Sequence, residues 1–400
     1  MTGVSSLGQA LDQIERIKDQ QTLFSALSAQ FTSGKKTHEF TGLGTDVLFS
    51  KRARSDFNAI DTYVNNIING DRRIKLMLNA IEEFKAQAEN FADILVNFSQ
   101  QSEHQEGEII YYDDPLTSAI EHTPVGMTSA KPSVDFGTVR EYASNVLGFF
   151  KDIVNSKDAE RYLMAGADTL IKPLEDNGSL DSAVSALIKS WKSGTITTDN
   201  LIADFSDRTT SGGNADALTD TIVGYSSSLS ANTAGKIFLR IDDFSEIDIT
   251  TLGNDQAFRD VIVAASAIMN GDFPPIIDAY ISPNTYPGVP DAQGAPGANN
   301  QEMKDNFFQV YNHLVQMVNN AIDTADQVRF KLENVRVRID SVKQSHTEQK
   351  NLLLNTISDV EDVDVNEVAV KLQSLQIQLD ASYRITAKLQ ELTLANFLVI

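Results

Sequence analysis

Between Phe307 and Leu353 one stripe recurs in alternating steps of four and three: Phe307, Tyr311, Leu314, Val318, Ala321, Ala325, Val328, Leu332, Val335, Ile339, Val342, His346, Gln349 and Leu353. All but His346 and Gln349 are apolar, and no Gly or Pro interrupts the chain from Glu302 to Asp359. A stripe held to one side over that length is a heptad seam on a helix several times longer than the usual ~11 residues. His346 and Gln349 read as a polar layer that fixes register. After the acidic break Asp359-Val360-Glu361-Asp362, read as a solvated helix break, a second stripe runs Val368, Leu372, Leu375, Leu379, Ser382, Thr386, Leu389. The sequence closes on Leu392-Thr393-Leu394-Ala395-Asn396-Phe397-Leu398-Val399-Ile400, a segment that needs an apolar partner to bury against.

The first hundred residues mirror the last. Leu7, Leu11, Ile14, Ile17, Phe24, Leu27 and Phe31 are spaced by threes and fours or their sums, which predicts an amphipathic helix over 5–31. Ser5 and Ser6 are its expected N-caps and Gly34 its C-terminal stop. A glycine-punctuated connector, Lys35 to Thr45, leads to a second long helix from Asp46 to about Gln101. Its stripe is Tyr63, Ile67, Gly70, Ile74, Met77, Ile81, Phe84, Ala88, Phe91, Leu95, Phe98, with a kink expected at Gly70. A lone apolar stripe must meet another element, so the two long helices are expected to pair, with the terminal helices alongside or beyond. A coiled-coil dimer also produces such stripes.

The middle differs in texture. Pro, Gly, Ser, Thr, Asn and Asp punctuate residues 103–300. Helices are expected at Val139–Asn155, Leu180–Lys192, Asn214–Ser228 and Asp255–Met269, and strands at Gly107–Tyr112 and Lys236–Asp242. The expected fold is mainly α: a long antiparallel helical coiled-coil rod formed by both termini, with an inserted α+β outer module. The expected segments are 1–45 (inner helix and connector), 46–102 (long rod helix), 103–300 (outer module), 301–358 (second long rod helix) and 359–400 (C-terminal inner helix).

Composition narrows the chemistry. A net charge of −22 argues against nucleic acid or an anionic membrane as partner, and no apolar window approaches the ~18 residues a spanning helix needs. With no cysteine there is no disulfide, thiolate nucleophile or zinc–thiolate site. The five histidines share no metal-ligand spacing, and Gly42-Leu43-Gly44 lacks the lysine and the preceding strand of a phosphate loop. No catalytic residue, cofactor or metal is expected, and Trp191 reads as core of the middle module. The N-terminus lacks the basic start and apolar stretch of a cleavable signal.

Three stretches together resemble the bacterial flagellin family, which includes flagellin and the hook–filament junction protein. They are Leu23 through Thr37, a helix ending in a Thr-Ser-Gly-Lys step; Leu372 through Leu398; and Arg161-Tyr162-Leu163-Met164-Ala165-Gly166-Ala167, similar to a segment of the junction protein. Val4-Ser5-Ser6-Leu7 and Phe40-Thr41-Gly42-Leu43-Gly44-Thr45 depart from common flagellins, in the direction of the junction protein.

The resemblance implies a structural subunit, not an enzyme, exported by the flagellar type III apparatus without a cleaved signal and residing in the extracellular flagellum. Its expected partners are copies of itself in a helical homopolymer, the other axial proteins (hook, junction, cap) and an export chaperone. The expected assembly interface is Leu7, Leu11, Ile14, Ile17, Phe24, Leu27 and Phe31 with Val368, Leu372, Leu375, Leu379, Leu389, Leu392, Leu394, Phe397 and Leu398. The alternatives are the junction protein and, from another class, a type III secreted needle-tip or translocator protein. A soluble enzyme on a coiled-coil stalk would need a site within residues 103–300.

Overall fold

The computed structural model describes residues 3–37, 39–103, 136–176, 178–210, 215–270, 295–296 and 300–397. In chain order its elements are α1 (Gly3–Ser33), α2 (Val47–Glu103), α3 (Phe136–Val154), β1 (Lys157–Asp158), β2 (Arg161–Tyr162), α4 (Ser179–Lys192), α5 (Thr198–Ser206), α6 (Asp220–Val223), α7 (Ser227–Ser230), β3 (Phe238–Asp242), β4 (Ser245–Asp248), α8 (Gln256–Asn270), α9 (Asn300–Glu361) and α10 (Val365–Phe397). The fold is mostly helical, and its strands pair as two antiparallel hairpins, β1–β2 and β3–β4. The chain divides into two compact units, Met1–Asn65 with Val342–Ile400, and Asn66–Ser341.

In the first unit, α1 begins before Ser5 and Ser6, which lie inside the helix instead of capping it. Gly34 ends it with φ 68°, a left-handed conformation that a Cβ disfavours, and its N–H closes on the Gln30 carbonyl at 2.8 Å. A 3₁₀ segment, Phe40–Asp46, leads into α2. Residues 47–65 of α2 and 342–361 of α9 run antiparallel, tied by the Lys350–Asp61 ion pair and by Tyr63 stacked on His346 at 6.0 Å between ring centroids. His346 is buried in that seam and Gln349 is exposed, so the expected polar layer reduces to the histidine. Asp364 caps α10, its Oδ1 accepting from the N–H groups of Asn366 and Glu367.

In the second unit, residues 66–103 of α2 and 300–341 of α9 are again antiparallel. Tyr311 Oη donates to the Leu95 carbonyl at 3.0 Å, Ser99 Oγ to Asn312 Oδ1 at 2.8 Å, Lys85 to Asp326 at 2.7 Å and Arg336 to Asp71 at 3.0 Å. The α2 stripe from Ile67 to Phe98 is buried throughout. Phe84 meets Phe150 of α3 and Phe258 of α8 at 5.0 and 4.9 Å, so three elements share one aromatic cluster. α8 is buried from Ala257 to Ile268, as a helix apolar nearly all round must be. Its one basic residue, Arg259, is fully enclosed and donates to the carbonyls of Phe205, Asp207 and Leu218 and to Asp260 Oδ1. A buried cation persists only with such partners. Trp191 is also fully buried, donating to Thr198 Oγ1 at 3.1 Å.

Three readings change. α2 passes through Gly70 without interruption; a Cβ there would lie 2.4 Å from Leu239 Cδ2, so the glycine makes room for β3 instead of bending the helix. The expected helix over 214–228 is two single turns, α6 and α7, parted by Gly224 with φ 102°; Asn214 itself lies outside the described residues. The third is the acidic break at Asp359–Asp362, whose Glu361 is buried rather than solvated. The strand expected at Gly107–Tyr112 and nearly all of the stretch from Tyr280 to Asn300 lie outside the described residues.

Candidate assembly surface

α1 packs along α10 in an antiparallel pair. Polar rungs set its register: Gln21 Nε2 donates to Tyr383 Oη at 2.6 Å, and Ser382 Oγ donates to Gln20 Oε1 at 3.3 Å. Along the pair Val368, Leu375 and Leu379 are buried, and Ile17, Phe24, Leu27 and Leu372 are half-buried.

Two helices in contact cover one face of each and leave the other to solvent. Leu11 and Ile14, each 58% exposed, fall on the uncovered side of α1, whereas Phe31, though exposed, stands one heptad from Phe24 and one turn from Leu27, on the side that faces α10. Leu23 is exposed on the opposite flank of the covered stripe from Ile14, and on α10 Val370, Ile377 and Ile385 are exposed; none of these four belongs to the interface expected from sequence. Val370 and Ile377 stand one heptad apart, the signal of a second apolar face. Such a surface marks a docking face when it is contiguous. Leu7 lies within α1, and Leu389, Leu392, Leu394 and Phe397 within α10, but their side chains are outside the described set, as is the whole of Leu398.

At the other end of the pair, two chain breaks grip each other. The Lys36 N–H donates to the Glu361 carbonyl at 2.7 Å and the Val363 N–H to the Gly34 carbonyl at 3.0 Å. Lys36 Nζ reaches the carbonyls of Asp359 and Val360, both at 2.8 Å, satisfying last-turn acceptors of α9. Lys35 Nζ pairs with Asp362 at 2.5 Å and Glu361 at 3.5 Å. Glu361 also accepts from Ser50 Oγ at 2.6 Å and from Arg54 Nε and Nη2 at 2.7 and 2.5 Å. The Arg54 guanidinium, with Ser50 and Lys35, holds the Glu361 carboxyl down at about 2 against the burial that would raise it. Lys35 and Ser358 lower Asp362, and Asp362 in turn raises Lys35.

The clasp joins the ends of α1 and α9 and the starts of α2 and α10. Only its charges were visible in sequence: a Lys-Lys pair after one helix stop, an acidic cluster at another. Nothing in the spacing of the chain pairs the two.

Residues 315–398 match the family model of the bacterial flagellin C-terminal helical region, which takes in most of α9 and all of α10. That match supports the family resemblance drawn from sequence. A comparison with curated proteins returns no match.

Proposed function

We propose, from the premise that α9 and α10 carry the C-terminal helical region of the bacterial flagellin family, that this chain is a structural subunit that self-assembles into the helical flagellar filament. The observation that carries the reading is the uncovered apolar face of the α1–α10 pair, in a helix that the family match spans. Copies stacked on that face bury Leu11, Ile14, Leu23, Val370 and Ile377, and at ~25 cal/mol per Å² of apolar area a few such side chains per subunit drive association. The assembly interface is proposed to run over Leu7 to Phe31 and Val368 to Leu398. Residues 1–45 and 359–400 would then form the inner layer, 46–102 and 301–358 the next, and 103–300 the outer module. The extracellular flagellum, the other axial proteins and an export chaperone follow from the same premise.

The hook–filament junction protein is the second reading, favoured by Arg161 to Ala167. The segment has a structural demand of its own: Gly166, at φ 62°, would set a Cβ 2.8 Å from the Gly235 carbonyl oxygen. Electron microscopy of the purified full chain after heating and slow cooling separates the two, since long regular fibres belong to a filament subunit. Deleting Leu392 to Ile400 is expected to leave a monomer. A truncated chain that still forms filaments would overturn the assembly mechanism.

A further inference from the structure

The β3–β4 hairpin ends in an aromatic side chain with no cover. Phe244 is fully exposed at its tip, between Asp242 and Asp243 on one side and Glu246 on the other. The turn is fixed by its own hydrogen bonds: Arg240 donates to the carbonyls of Asp242 and Asp243 at 3.3 and 3.0 Å, and the Asp243 N–H to Asp242 Oδ1 at 2.7 Å. An anchor held in place before contact loses little conformational freedom when it docks, and aromatic anchors dominate interface energies.

A surface of opposite character occupies the first turns of α2. Leu48 and Phe49 are 64% and 62% exposed, and Lys51, Arg52 and Ser55 continue their side of the helix at i+3, i+4 and i+7 from Leu48. Lys51 Nζ sits 5.6 Å over the Phe40 ring, and Arg52 forms no ion pair among the described residues. In a chain of net charge −22 this is an apolar face bearing two cations. It matches an aromatic tip carrying three carboxylates, of which Asp243 pairs with Arg240 at 3.8 Å.

We propose that Phe244 of one copy docks against Leu48 and Phe49 of a second, with Asp242 and Asp243 meeting Lys51 and Arg52. The two surfaces are different, so the contact is heterologous and propagates along a polymer instead of closing a dimer. Charge complementarity of this kind sets orientation and encounter rate more than affinity, leaving Phe244 as the anchor. The inference rests on the homopolymer reading and adds a contact made outside the α1–α10 pair.

Because the chain has no cysteine, single thiols report the contact. One population of the full chain carries Ser245→Cys and a second Ser55→Cys; they are mixed, assembled and mildly oxidised, while pelleting records assembly independently. The expected result is a disulfide between copies. Phe244→Ala with Asp242→Lys and Asp243→Lys in the first population should abolish it, and Lys51→Glu with Arg52→Glu in the second should restore it against a tip that keeps Phe244 and carries the two lysines. Pelleting assemblies without the disulfide overturn the inference, as does preferential cross-linking of Ser245→Cys to Asp168→Cys beside the exposed Leu170 and Ile171. Absence of pelleting in the unsubstituted chain overturns the homopolymer reading along with it.

Discussion

Glu361 accepts two hydrogen bonds from Arg54 across 307 positions of sequence, at 2.7 and 2.5 Å. The carboxylate is nearly buried while the guanidinium stays half in water, so the pair is asymmetric: losing the acid leaves Arg54 hydrated, but losing the cation leaves a buried charge with only Ser50 at 2.6 Å and Lys35 at 3.5 Å. Arg54→Ala should therefore cost more than Glu361→Gln, with the latter costing about 1–2 kcal/mol as a charge-assisted bond weakened to a neutral one. Urea unfolding of the two variants, read at the transition of the first unit, checks the order. An equal or reversed cost would show that the burial of Glu361 does not govern the clasp.

The same carboxyl sets a pH dependence. Its folded value of about 2 lies below the ordinary 4.5, so its stabilisation is fully present above about pH 4.5 and is lost as pH falls towards 2. Asp362 is lowered too and acts in the same direction. Unfolding free energies of the natural chain and Glu361→Gln should be farthest apart above pH 5 and converge on acidification. Asp248, also held at about 2, titrates in both proteins and cancels in the difference. A gap that widened towards acid would reverse the assigned sign.

The seams of α2 and α9 were legible where the stripe is buried, from Ile67 to Phe98 and at Phe307, Tyr311, Leu314, Val318, Ala321 and Ala325, because there periodicity reports burial directly. The faces of α1 and α10 were less so. A heptad marks apolar positions but not which of two apolar sides the neighbour covers, and the named stripe therefore splits: Val368, Leu375 and Leu379 are inside, Leu11 and Ile14 outside. The clasp was not legible at all, since Lys35, the Ser50–Arg54 pair on α2 and Glu361 come from three chain segments that share no common period. Gly70 was misread for a related reason. Its cause is Leu239, a residue far along the chain, and not the helix that contains it.

Gly70→Ala carries opposing terms. In an open helix the change would gain about 1 kcal/mol of propensity. Here the new methyl would sit 2.4 and 2.9 Å from the two Leu239 Cδ atoms and 3.2 Å from Cγ, against a side chain already buried. Overpacking of this kind costs about 1–3 kcal/mol, so the net effect should be destabilising. Leu239→Ala in the same chain frees the space, and the double variant should be more stable than the sum of the two single losses requires. Thermal unfolding across the cycle measures the coupling; simple additivity would mean Leu239 yields without cost.

Ile377 and Leu375 are neighbours on α10 with opposite environments, 65% and 6% exposed. Leu375→Ala removes packing from the seam with α1 and should destabilise the pair by about 2–5 kcal/mol, the range for a buried leucine. Ile377→Lys changes nothing that the single chain buries, so its helicity and unfolding midpoint should stay within about 0.5 kcal/mol of the parent. In a polymer stacked on that face the same lysine is placed without a counter-ion in an apolar contact, and assembly should fail. The decisive comparison is circular dichroism against pelleting for both variants. Ile377→Lys must keep the first and lose the second; if it pellets like the parent, the uncovered side of α10 is not where copies meet.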